Sequence, residues 1–136
     1  MSWRRAIAVW CTLVGAEVVQ GTLRVLLLAP VVGDFRSRQL AVFTGAAIIL
    51  TIAVLSARWI GTTSDRERLA VGAVWLTGML AFEVGAGRLL AHLSWERIRS
   101  DYDLAHGGLL PIGMTVLFLA PLIADRVRRR REGRDR

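Results

Sequence analysis

Residues 15–30 read GAEVVQGTLRVLLLAP, which places a glutamate and an arginine inside a run otherwise apolar enough to cross a bilayer. Glu17, Gln20, Gly21 and Arg24 fall at i, i+3, i+4 and i+7, so a helix carries them along one face, with Arg24 about 10 Å above Glu17. A charged side chain facing lipid at mid-depth costs at least about 2.5–3.5 kcal/mol. The stripe therefore faces other helices, and the rest of the chain must supply them.

It does so in four apolar segments, at about 6–32, 40–59, 69–93 and 104–124. Each meets the requirement of about 20 residues for a hydrocarbon core about 30 Å thick. Backbone groups in lipid must be satisfied within the segment, and the alternation of barrel strands is absent, so the segments are expected to be helices. Short polar breaks join them at 33–38, 61–68 and 94–103. The expected fold is all-α: an integral membrane four-helix bundle, with one transmembrane domain over 1–124 and a flexible basic tail over 125–136.

The composition agrees with that class. The 136 residues are 54% hydrophobic, yet 18 are basic and 11 acidic. All the basic residues are arginines, seven of them between Arg126 and Arg136, directly after the last apolar segment. A formal charge of +7 concentrated there reads as a membrane-flanking segment that also suits anionic lipid headgroups, and not as a nucleic-acid surface. Cys11 is the single cysteine and makes no intrachain disulfide; no zinc-finger spacing, Gly-x-Ser-x-Gly or mid-depth histidine pair is present, so no metal, haem or other cofactor is expected.

The N-terminal Arg4-Arg5 and the apolar run after it have the form of a signal peptide, with Val14-Gly15-Ala16 as a cleavage site. Against that, the apolar run resumes after Glu17 for another helix length. With both termini in the cytoplasm, Arg4, Arg5, Arg58, Arg66, Arg68 and the tail lie inside, and only Arg36, Arg38, Arg97 and Arg99 outside. That imbalance favours a bacterial inner-membrane protein with both termini cytoplasmic. Trp3, Trp59 and Trp95 then fall at the interfaces, while Trp10 and Trp75 are packing residues.

Glu-Val-x-x-Gly-x-Leu occurs twice, from Glu17 and from Glu83, in each case midway along an apolar run. The reading is two related two-helix repeats in parallel orientation, since each holds an even number of spans. Glu17 is expected to pair with Arg88 and Glu83 with Arg24, in a polar layer completed by Gln20. The match aligns Arg88 with Thr22 and Arg24 with Leu90, which suggests one site built from unlike halves.

Two carboxylates in a layer of low dielectric can share and release a proton, whereas buried ion pairs can also serve only to specify which helices adjoin. A second group of candidates lies in the connection 94–108: Asp101, Asp103 and His106 for a metal, Trp95 and Tyr102 for a ligand, against the plainer reading of a solvated capping loop in which Asp103 caps the fourth span. Pro111 and Pro121 stand in that span.

Ala16-Glu17-Val18 followed by Gly21-Thr22 resembles the first helix of the small multidrug resistance transporters, four-helix proteins whose first-helix glutamate binds protons and cationic drugs. The resemblance covers about a dozen residues; the second glutamate motif, the nearby arginines and the polybasic tail depart from it, so the substrate class is not carried over. FEVGAGRLL, SWERIRSDYDL and GGLLPIG are similar to segments of small uncharacterised bacterial four-span membrane proteins, a resemblance that implies no activity.

The functional expectation is a small transporter or permeation protein whose Glu17, Glu83, Arg24 and Arg88 bind a proton or a small polar or anionic solute. The alternative is a non-catalytic accessory or assembly subunit whose buried charges set helix packing. Enzyme chemistry at the 95–106 mouth is the third reading, and the balance is against an enzyme. The bilayer is the expected partner, with a homodimer or a partner subunit, and no nucleic acid. A water-accessible cavity reaching the glutamates would favour the first reading, and a large apolar patch the second.

Overall fold

The computed structural model describes residues 1–135. They form helices joined by short turns, and four of the helical stretches are long and apolar enough to cross a membrane: Trp3–Val32, Asp34–Ile60, Asp65–Leu89 and Leu110–Arg134.

The first stretch starts where Ser2 accepts from the Arg5 N–H, and it is not one uniform helix. Helix α1 (Trp3–Leu23) passes into a π-helical turn over Arg24–Leu28 and then into α2 (Ala29–Val32). Pro30 has no N–H to give the carbonyl four residues back. The chain winds wider just before it, and the Ala29 N–H reaches the Arg24 carbonyl, five residues back. Gly33 (φ 92°) breaks the path and α3 (Asp34–Ile60) returns, stopped by Gly61 in the left-handed region at φ 75°.

Helix α4 (Asp65–Leu89) is capped by Ser64, whose hydroxyl accepts from the Glu67 N–H, while the Glu67 carboxylate accepts from Thr63 N. The amphipathic α5 (Trp95–Tyr102) begins at another serine cap, Ser94, and α6 (Leu110–Arg134) closes the bundle. Several boundaries differ from those expected. Asp34 to Arg38 and Asp65 to Arg68 are first turns of helices and not connections, because acidic residues there suit the positive end of the helix dipole. The last span begins at Leu110 and not at 104; Asp103 does not cap it, and its carbonyl accepts instead from His106 N and Gly108 N in the preceding turn.

Helix α6 packs along both α3 and α4, and α1 packs on α3 and more sparingly on α4. Val9, Leu13, Ile49, Ala53, Val71, Trp75, Leu117 and Ala120 fill the centre. Trp75 is fully buried and donates its indole N–H to the Ala6 carbonyl (2.9 Å), and Trp10 lies against Gly78. The closest backbone approach is at Gly72, where a Cβ would stand 1.9 Å from the Phe118 carbonyl oxygen, so only glycine lets α4 and α6 meet there.

The end of the bundle that carries both termini is sealed by charge. Arg68 and Asp125 are 3% and 2% exposed and pair at 3.2 Å. Arg68 also holds Asp65 (2.8 Å), Asp65 holds Arg126 (3.1 Å), and Asp125 takes Arg128 (3.3 Å) and Arg129 (2.9 Å) from its own helix. Arg58 pairs with Glu132, and the Arg5 guanidinium lies over Trp59, 5.3 Å from the ring centre, donating to the Trp59 carbonyl. The basic segment expected as a separate flexible tail from 125 therefore continues α6 as helix to Arg134. Its i,i+3 and i,i+4 acid–arginine pairs sustain the helix beyond the apolar run.

Candidate functional site

The opposite end is hollow. A cavity of about 240 Å³ lies between α1, α3, α4 and α6 beneath α5, many times the space that one water needs. Glu17, Gln20 and Arg24 line it from α1, and Glu83 from α4. The stripe expected on α1 thus faces inward.

Gly45 of α3 makes room for it. A Cβ there would lie 3.2 Å from both Glu17 Oε1 and Gln20 Oε1, so the two polar heads rest against bare backbone. Gln20 is fixed by its amide, which donates to the Ala41 carbonyl at 2.8 Å. Glu17 has no hydrogen bond or ion pair among the described residues, and neither has Glu83. Around these two carboxylates the walls are apolar: Val42, Ile49, Met79, Met114 and Leu117.

The arginines expected beside the glutamates are engaged elsewhere. Arg24 reaches up to the start of α3, 3.2 Å from Asp34 Oδ1, and donates to Ser37 Oγ at 2.9 Å. It still lines the cavity, at the mouth. Arg88 does not line it: the guanidinium lies over Trp95, 4.8 Å from the ring centre, and donates to the Leu93 carbonyl. The five-residue spacing from Glu83 to Arg88, about 140° around the helix, turns the two apart.

A charged rim takes the place of the expected pairs. Arg38 bridges Asp34 (3.1 Å) and Asp101 (2.5 Å), and Arg97 joins Asp101 (2.9 Å) and Asp34 (3.7 Å). Three guanidiniums thus share two carboxylates at the mouth, which leaves one positive charge over. Gln39 ties the rim to the turn before α6 through the Gly107 carbonyl (2.9 Å).

Of the second group of candidates, Asp101 lines the cavity and Trp95, Tyr102, Asp103 and His106 do not. His106 pairs with Asp103 at 2.7 Å with its side chain 84% exposed. Asp101 is held by arginines, so the three do not converge, and no group of three or more potential metal ligands occurs among the described residues. Tyr102 is half-buried, its hydroxyl without a partner among the described residues. Burial pushes its phenol up to about 12, with Glu83 and Asp101 adding to the shift, so it stays protonated.

Sequence reasoning passed over Asp34, Arg38, Arg97, Gln39 and Gly45. Three of these had a signal: Asp34 with Arg38, and Arg97 with Asp101, are opposite charges at i,i+4, the spacing of helical ion pairs, in stretches read as loops. No protein-family description, curated protein or solved structure matches the chain.

Proposed function

We propose that the protein is a small membrane transporter or permeation protein, with Glu17 and Glu83 as the binding groups for a proton or a small polar solute. One observation carries the reading: a cavity of about 240 Å³ reaches two mid-bundle carboxylates that no arginine among the described residues neutralises. Carboxylates kept only to hold helices together would be paired. Those at the other end are, and the alternative of an accessory or assembly subunit draws its support from that layer of Arg68 and Asp125.

In this reading the chain lies in a bacterial inner membrane with both termini cytoplasmic, the side favoured by its arginines, and the cavity opens outward. The helical basic extension lies at the cytoplasmic headgroups and attracts anionic lipid. The hairpin of α1 to α3 and that of α4 to α6 are diverged copies in parallel orientation. Their matching glutamates line one cavity, which is the support for the duplication. A second copy or a partner subunit completes a path across the membrane, since the far end is closed in a single chain.

The test uses purified protein in proteoliposomes with an imposed pH gradient and a luminal pH dye. The wild-type chain is expected to dissipate the gradient several-fold faster than protein-free vesicles when polar solutes are supplied, and Glu17→Gln or Glu83→Gln to abolish the difference. Equal rates for wild type and both variants would refute the reading.

A further inference from the structure

We propose that the cavity accepts a zwitterion: an ammonium group held by Glu17 and Glu83, joined to a carboxylate or phosphate held at the rim by Arg24, Arg38 and Arg97. The inference rests on the reading of the cavity as a binding site and names the class of its ligand.

The support is the sorting of charge along the cavity. Its deeper part carries two unneutralised carboxylates beside the Gln20 amide, and its mouth carries three guanidiniums against two aspartates. A simple anion finds its place at the mouth but meets two negative charges below. A simple cation suits the depth but must pass a mouth with positive charge in excess. A molecule with both charges satisfies both ends. Glu17 and Arg24 are seven residues apart, a rise of about 10 Å, and the Arg24 guanidinium sits at the mouth against Asp34 and Ser37. With a hydrogen bond of about 3 Å at each end, the span left suits an amine and an acid group separated by several bonds.

Gly21 lines the cavity from α1, and a Cβ there would meet no atom within 4 Å. The contacts that join α1 to α4, Ala6 with Trp75 and Trp10 with Gly78, lie toward the sealed end. A ligand with an acyl tail therefore has a way out into the bilayer between α1 and α4, so the zwitterion is either a free solute or the headgroup of an aminophospholipid.

The experiment titrates the full-length, delipidated protein in mild detergent and follows binding by thermal shift and native mass spectrometry. The probes are phosphoethanolamine, its two halves ethanolamine and methyl phosphate, γ-aminobutyrate, and the dihexanoyl forms of phosphatidylethanolamine and phosphatidylglycerol. At least one zwitterion is expected to bind tenfold or more tighter than either half. Arg97→Gln should weaken the zwitterion and methyl phosphate while leaving ethanolamine unchanged. Tighter binding of dihexanoyl phosphatidylethanolamine than of both free zwitterions assigns the site to lipid, and the reverse assigns it to a soluble compound; either supports the proposal. Ethanolamine binding as tightly as every zwitterion overturns it while leaving the transport reading intact. No binding by any probe, with no glutamate-dependent flux in proteoliposomes, removes both. The probe comparison is made on the wild-type chain and does not depend on any variant folding.

Discussion

The two ends of the bundle place buried charge in opposite ways. At the end with the termini, Arg68 and Asp125 are almost wholly enclosed, Arg68 meeting two opposite charges and Asp125 four. At the other, Glu17 and Glu83 border about 240 Å³ of open space and meet no opposite charge among the described residues. Burial alone does not distinguish a structural charge from a binding one; the presence of partners does. A paired buried charge has its desolvation offset by its neighbours, whereas an unpaired one beside a cavity is left for something that comes and goes.

That contrast is broken or sharpened by five substitutions, each read by thermal unfolding of the purified protein. Asp125→Ala is expected to have the largest effect, about 3–5 kcal/mol, because it removes the buried partner of Arg68 and leaves that guanidinium only the half-exposed Asp65. A loss below about 1 kcal/mol would mean that the sealed end is not held by its charges. Gly72→Ala follows at about 1–3 kcal/mol, the cost of forcing apart α4 and α6, and an unchanged midpoint would refute the close contact at Phe118.

Gly45→Ala is expected to cost less than about 1 kcal/mol, since flexible Glu17 and Gln20 heads can move aside, while occupying the space those heads now use. It should therefore reduce flux more than stability, and a variant with wild-type flux would sink the placement of the site. Glu17→Gln and Glu83→Gln should shift stability least, within about 0.5 kcal/mol or upward, because no ion pair is lost. A sharp fall in either would make the two ends alike and favour the accessory reading.

Four helices long and apolar enough to cross a membrane, the inward face of Glu17, Gln20 and Arg24, and the packing role of Trp75 were all legible in the sequence, since apolar length and helical period report what a core excludes. Partner choice was not. Arg24 and Arg88 were assigned to the glutamates by depth along the chain, but a long guanidinium reaches the nearest carboxylate in space, and for Arg24 that is Asp34, just past the Gly33 break. The boundary at 125 failed for a related reason: hydropathy falls there, yet Asp125 ties the start of the basic run into the core. Gly45 was invisible because its contribution is the absence of a side chain beneath residues 25 and 28 positions earlier.

The position of α6 also bears on how the chain is made. Of the four long helices α6 is the last in chain order, and it packs against both α3 and α4, supplies Asp125 to Arg68, and walls the cavity with Met114 and Leu117. Without α6 in place Arg68 lacks its buried partner, and the cavity that Glu17 and Glu83 border lacks a wall. The charges of the first three helices therefore find their final surroundings only when α6 docks.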